Sequence, residues 1–130
     1  MKGGKNKLKV LLSIKPEYVE KIFSKEKKYE FRKSIFKNPS IKSIIVYSSS
    51  PVKKVIGEFE IEEIIEDTPK NLWNLAPKNT GISEEKFYKY FENKEKGYAI
   101  KIGKLIKYQS AKDLKDFSIK TAPQSFVYVS

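Results

Sequence analysis

Lys27-Lys28-Tyr29-Glu30-Phe31-Arg32-Lys33 alternates with a period of two. Tyr29 and Phe31 point one way; Lys28, Glu30 and Arg32 point the other, as side chains do along an extended strand. The aromatic side calls for a core behind it. The polar side sets Glu30 and Arg32 next to each other on one strand face. Arg32 is the only arginine among the 27 Lys and Arg residues of the chain. A guanidinium offers what an ammonium does not: a planar fork of parallel hydrogen bonds to a carboxylate, a phosphate or a base edge. Two readings stand side by side. Glu30 and Arg32 form a structural ion pair, or Glu30 orients Arg32 in a recognition pocket and shares its ligand.

Outward from this stretch the pattern is that of a mixed α and β chain. Upstream, Leu8–Ile14 is apolar and β-branched and reads as a strand. Pro16 then opens a helix at a position where its missing N–H does no harm, with Tyr18, Val19, Ile22 and Phe23 on its apolar face. Downstream, Asn38-Pro39-Ser40 marks a turn, and Ile41–Tyr47 reads as a strand ended by Ser48-Ser49-Ser50-Pro51. Val55–Ile65 alternates most clearly. Its period breaks at Glu62-Glu63, where a bulge is expected. Short helices are expected around Trp73 and after Ser83, whose hydroxyl suits a helix cap. Tyr98–Tyr108 reads as a long strand kinked at Gly103, Lys112–Phe117 as a helical turn and Phe126–Val129 as a final strand. Strands outnumber helices and no βαβ repeat appears. The expectation is an α+β fold: a small, bent barrel of about five to seven strands with flanking helices. Residues 8–130 form its one domain, preceded by a basic N-terminal arm, residues 1–7.

The 130-residue chain has no Cys and no His. Disulfides, thiolate metal sites and Cys or Ser–His nucleophile systems are excluded. So is the usual neutral-pH acid–base group. No apolar run approaches the ~20 residues of a membrane span, so a soluble, cytoplasmic protein is expected. Glu62-Glu63 lacks a third spaced ligand, and no metal site or cofactor is expected. The net charge is +11, yet Glu58, Glu60, Glu62, Glu63, Glu66 and Asp67 crowd into a single lysine-free run. The rest of the chain is therefore more basic than its average, which favours a polyanionic partner.

Three segments together resemble a known family. They are Leu11-Leu12-Ser13-Ile14-Lys15-Pro16, Ser24-Lys25-Glu26-Lys27-Lys28-Tyr29-Glu30-Phe31-Arg32-Lys33, and Ala122-Pro123-Gln124-Ser125-Phe126-Val127-Tyr128-Val129. The chain resembles the ASCH domains of the PUA-like superfamily. Its middle segment is similar to their G-x-K-x-x-E-x-R motif. Lys27, Glu30 and Arg32 match, and Lys25 stands where Gly is usual. The resemblance implies a PUA-like barrel with a cleft lined by the motif strand, and RNA or modified-nucleotide binding. One branch of the family resembles amidohydrolases that act on N4-acetylcytidine through a Lys, a Thr and a Glu. Here Lys27 matches the Lys, Glu30 replaces the Thr, and the later Glu falls near Lys78-Asn79.

The expected function is an RNA-binding module with a polar cleft. The alternative is a hydrolase acting on a modified nucleobase, or a ribonuclease. A non-catalytic protein-interaction domain would instead expose an apolar patch. If an enzyme, the chain would use Lys27 and Glu30, with Glu62, Glu63 or Glu84 as the converging carboxylate. Lys25, Lys27, Lys28, Arg32 and Lys33 are expected to meet RNA phosphates. Glu30 suits an exocyclic amine, Gln124 and Ser125 a cleft rim, and Tyr47 and Trp73 the stacking of unpaired bases.

Overall fold

β1 (Lys9–Ile14) is buried on both faces, with Val10, Leu11, Leu12 and Ile14 all within 3% of full burial. A strand of this kind belongs in the interior of a covered sheet. The computed structural model describes residues 8–75 and 77–130, so the basic arm expected over residues 1–7 lies outside the described residues. β2 (Tyr29–Arg32), β3 (Ser43–Ser48), β4 (Lys54–Asp67), β5 (Gly97–Lys112) and β6 (Phe126–Val129) complete a six-stranded sheet in the order β2-β5-β4-β3-β1-β6. β1 and β3 run parallel, joined through α1 (Pro16–Phe23) and β2; every other neighbouring pair is antiparallel.

β4 and β5 are the long spine of the sheet, and they bend where alternation breaks. Ile61 pairs with Ile102 and Glu63 with Lys101, so Glu62 is the extra residue of a bulge. On the other strand, the step from Ile102 to Leu105 spans only Ile61 to Phe59. Gly103 sits in that step, where a Cβ would lie 3.0 Å from the Glu60 carbonyl oxygen. These bulges increase the local twist and curl the sheet around a core of Val10, Leu12, Ile44, Val46, Phe59 and Ile100, capped by Val19 and Ile22 of α1.

α2 (Pro69–Trp73) and α3 (Glu84–Tyr90) are capped by Thr68 and Ser83, whose hydroxyls accept from Asn71 and Lys86 N–H. They cover a second cluster in which Phe87 meets Phe31 edge-on at 4.9 Å. A third cluster, Leu11, Ile45, Tyr47, Val55 and Val129, packs under Leu114 and Phe117 of a 3-10 turn, Leu114–Phe117.

The sheet is not the closed barrel that was expected. Its edge strands β2 and β6 have four residues each and no ladder joins them. Side chains cross the gap instead. No helix among the described residues is long and apolar enough to cross a membrane.

Candidate functional site

α1 ends on Ser24, and the chain turns back into β2 through Lys25 at φ +73°. This is the left-handed conformation that glycine adopts without penalty. The tight turn of the motif is therefore made with a lysine in the glycine position. The Lys27 N–H donates to the Lys21 carbonyl at 3.0 Å and closes the helix end. That turn sends the Lys27 side chain inward.

Lys27 is 3% exposed. Its Nζ donates to the Thr80 carbonyl at 2.8 Å and stands 3.9 Å from Glu30 Oε1. The rings of Tyr18 and Phe31 lie 5.3 and 5.1 Å from it, within cation–π range. The loop between α2 and α3 supplies the lid over its stem. Thr80 is buried, and its hydroxyl donates to the Ile82 carbonyl at 3.0 Å. Gly81, at φ +69°, lies so close that a Cβ would come within 2.6 Å of Lys27 Cβ. Burial pushes the Lys27 ammonium below the usual lysine range; Glu30 opposes this and Lys21 adds to it. The lysines next to it in sequence, Lys25 and Lys28, are not the cause.

Glu30 sits between two cations. Its Oε2 accepts from Arg32 Nη1 at 3.2 Å, and its Oε1 faces Lys27. The Arg32 guanidinium is spent mostly on the fold. Nη1 also donates to the Ser13 carbonyl at 3.4 Å, and Nη2 to the Ser125 carbonyl at 3.1 Å. The expected ligand fork is thus a tie between β2, the end of β1 and the entry to β6. The Ser13 hydroxyl adds a bond of 2.9 Å to the Pro123 carbonyl.

A cleft of about 550 Å³ opens at this seam. Ser13, Lys15, Glu30, Arg32 and Gln124 line it from the strand ends and their connections. Glu17 and Tyr18 line it from α1, and Lys86, Lys89 and Tyr90 from α3, with Lys27 in its floor. Five cations therefore face two carboxylates. Burial raises the pKa of Tyr18, with Glu17 and Glu30 adding to it. Burial also raises that of Tyr90, against Arg32. The Tyr90 hydroxyl accepts the Lys33 N–H at 3.2 Å, and Lys33 Nζ rests 4.7 Å from its ring centre.

The structure brings together Lys27, Glu30, Arg32 and Gln124, as expected, and keeps other expected residues apart. Lys25 and Lys28 border a second groove of about 400 Å³ beside Lys104, with Lys27 between the two. Lys33 is exposed on Tyr90. Ser125 contributes its carbonyl to Arg32. Tyr47 is 5% exposed in the third core cluster and has no free ring face for a base. Trp73 packs against Phe87 with ring centres 5.1 Å apart and does not line the cleft. Of the carboxylates expected to converge, Glu62 pairs with Lys101, and neither it nor Glu63 nor Glu84 lines the cleft; Glu17 does. In the acidic row of β4, Glu60, Glu62, Glu63 and Glu66 are exposed and Asp67 is half-buried, while Glu58 accepts from Lys9 and Tyr108, both at 2.8 Å. Lys78 and Asn79 are exposed on a 3-10 turn, so the group that meets Lys27 from this loop is the neutral carbonyl of Thr80. Sequence reasoning missed Glu17, Lys86, Lys89 and Tyr90. Lys86, Lys89 and Tyr90 share one stripe of α3 by the three-and-four spacing of a helix. The pattern does not say what a polar stripe faces.

Residues 8–125 match the family described as a domain of unknown function, DUF365. A crystal structure of the ASCH protein from Zymomonas mobilis superposes with a TM-score of 0.84 at 28% identity, covering 94% of this chain and 87% of that one. A Zymomonas mobilis protein named ASCH domain-containing ribonuclease is 34% identical over 89 residues, 68% of this chain and 60% of the relative. A Ureaplasma parvum protein named ATP synthase subunit alpha is 32% identical over 121 residues, 92% of this chain. The chain spans 15% of the length of that relative. The chain belongs to the DUF365 family and is an ASCH-domain protein.

Proposed function

We propose that this ASCH domain holds single-stranded RNA in the seam cleft and cleaves it there, with Lys27 taking the proton from an attacking 2′-hydroxyl. The observation that carries the reading is Lys27 itself, a lysine 3% exposed in the floor of a cationic cleft. Burial favours the neutral amine, which is the form that serves as a base near neutral pH. In the reaction the 2′-oxygen attacks the adjacent phosphorus, the bond to the 5′-oxygen breaks, and a 2′,3′-cyclic phosphate forms. The 5′-oxygen leaves as a hydroxyl with a proton from solvent, and Lys27 returns its proton to solvent. Charge that accumulates on the phosphoryl oxygens needs fixed cations. Lys15, Lys86 and Lys89 supply them at the rim, and Glu30 keeps Lys27 and Arg32 in register. The name ribonuclease on the Zymomonas mobilis relative supports RNA as the substrate class.

The test separates binding from cleavage. End-labelled single-stranded RNA is incubated with the wild type and with Lys27→Met, and products are resolved beside oligonucleotides carrying a single 2′-deoxy residue. Cleavage should end in cyclic phosphate, stop at each 2′-deoxy position, and be lost in Lys27→Met while RNA affinity is retained. Cleavage that crosses the 2′-deoxy positions, or that survives in Lys27→Met, rejects the mechanism.

A further inference from the structure

Lys27 presents an amine in a setting that few lysines have. It borders the cleft, yet its carbon stem is sealed by Gly81 and its nitrogen is flanked by the Tyr18 and Phe31 rings. An ammonium has three donors. Here the Thr80 carbonyl takes one at 2.8 Å, and Glu30 Oε1 stands at 3.9 Å, too far for a direct bond but close enough to exchange a proton through a small shift or one water. An amine desolvated in this way is also the form that attacks carbonyl carbon. The rim of the same cleft carries Lys15, Lys86 and Lys89 against one carboxylate, Glu17, which stands 3.8 Å from Lys86 Nζ, so its balance is cationic. A molecule that fits has an uncharged electrophilic end for the floor and an anionic end for the rim.

We propose that Lys27 forms an imine with a phosphorylated aldehyde held in this cleft. The nitrogen lone pair bonds to the aldehyde carbon as the carbonyl π pair moves to oxygen, which takes up a proton from solvent. Nitrogen then gives one of its two protons to Glu30, the hydroxyl leaves as water with that proton returned from Glu30, and the C=N bond forms as a protonated imine. One water is released and nothing is oxidised or reduced. The phosphate stays on the rim lysines, and the aromatic flank excludes the water that would reverse the step. Two sources share this chemistry: a free phosphorylated aldehyde, and the ring-opened sugar of an abasic site, whose aldehyde is flanked by backbone phosphates. The inference goes beyond the RNA reading, since it needs neither a 2′-hydroxyl nor an intact base.

The experiment uses the full chain at neutral pH, incubated in one arm with pyridoxal 5′-phosphate and in the other with an oligonucleotide bearing one abasic site. Borohydride is added to reduce any imine to a stable secondary amine, and the modified peptide is mapped by mass spectrometry. The expected result is one dominant adduct on Lys27, at least about tenfold above any other lysine, because burial favours the free amine there and not on the solvated lysines. An adduct in both arms assigns the strand aldehyde as an acceptable ligand; an adduct in the first arm alone assigns a small free aldehyde. Adducts scattered over surface lysines, or none on Lys27 in either arm, overturn the proposal. Lys27→Arg keeps the charge and cannot form an imine, so an undiminished adduct yield in that variant also overturns it. Should Lys27→Arg fail to fold, the map of the wild type decides alone. Lys27-dependent cleavage of ordinary RNA without trapping defeats this inference only. Trapping by a protein with no RNA affinity defeats only the RNA reading.

Discussion

Arg32 Nη2 reaches the main-chain oxygen of Ser125 at 3.1 Å, across 93 residues of sequence. Arg32 ends β2 and Ser125 leads directly into β6, the two opposite edges of the six-stranded sheet. The sheet has therefore curled until its edges face one another, and one guanidinium spans what a backbone ladder leaves open.

Arg32→Lys removes that span. An ammonium cannot reach Glu30, Ser13 and Ser125 together, so main-chain carbonyls inside the seam lose their donor. The expected loss is about 1–3 kcal/mol of unfolding free energy, read from urea midpoints at constant m-value. A loss under about 0.5 kcal/mol, the level of ordinary surface substitutions, would mean that the edges are held by other contacts.

Lys27→Met should change how stability depends on pH. Burial lowers the Lys27 pKa in the folded chain from its ordinary 10.5. Between the depressed value and 10.5 the unfolded chain binds more protons, so unfolding free energy rises with pH through that window. Below the window both states are protonated and the burial penalty is present in full. The variant lacks this contribution, and the wild type should gain on it as pH rises toward the ordinary lysine value of 10.5. Exposed Lys54 and Lys101, whose pKa values their carboxylate partners raise, are common to both proteins and cancel. Parallel pH profiles of the two proteins would show that Lys27 is not held in the amine-favouring state.

Lys25→Gly should stabilise the fold. Lys25 occupies φ +73°, a conformation that costs a side-chain-bearing residue roughly 1–2 kcal/mol. Glycine recovers part of this and loses part to greater freedom in the unfolded chain. A net gain of about 0.5–1 kcal/mol is expected, seen as a higher melting temperature. A lower one would show that the Lys25 side chain makes compensating contacts.

Tyr90 and Trp73 should part company in RNA binding. Tyr90 borders the cleft and Trp73 does not. Tyr90→Ala is expected to weaken single-stranded RNA binding by about 1–3 kcal/mol, the range for loss of a stacking surface. Trp73→Phe should leave affinity unchanged. Fluorescence anisotropy with a labelled oligonucleotide measures both, and the reverse ranking would move the RNA path to α2.

Lys86 and Lys89 should set part of the salt dependence. Each phosphate contact on a single strand contributes about 0.7 to the slope of log K against log salt. Lys86→Gln with Lys89→Gln should therefore flatten the slope by up to about 1.4. An unchanged slope would place the phosphates elsewhere on the surface.

Much of this architecture is written locally. Val55–Ile65 alternates and is a strand; Glu62 interrupts the alternation and is a bulge; Ser83 precedes an amphipathic run and caps α3. The seam is not legible in this way, because its ties run from a guanidinium to carbonyl oxygens, and every residue has a carbonyl. The burial of Lys27 is not legible either, because charged residues surround it in sequence. It is buried by Thr80 and Gly81, some 53 residues away, through a turn that needs a glycine and a hydroxyl. Tyr47 and Trp73 stand beside loops in sequence, yet their neighbours do not reveal which side of the backbone each ring takes. Both rings turned toward the core.

The tie between Arg32 and Ser125 also orders events in time. Contacts that close long loops form late, and a chain leaves the ribosome N-terminus first. Helix α1, β2 and the central strands can assemble while residues 122–129 are still unmade. The side of the cleft that Gln124 lines is missing until they arrive. The nascent chain therefore carries an incomplete cleft, and the last strand to join the sheet completes it as it seals the fold.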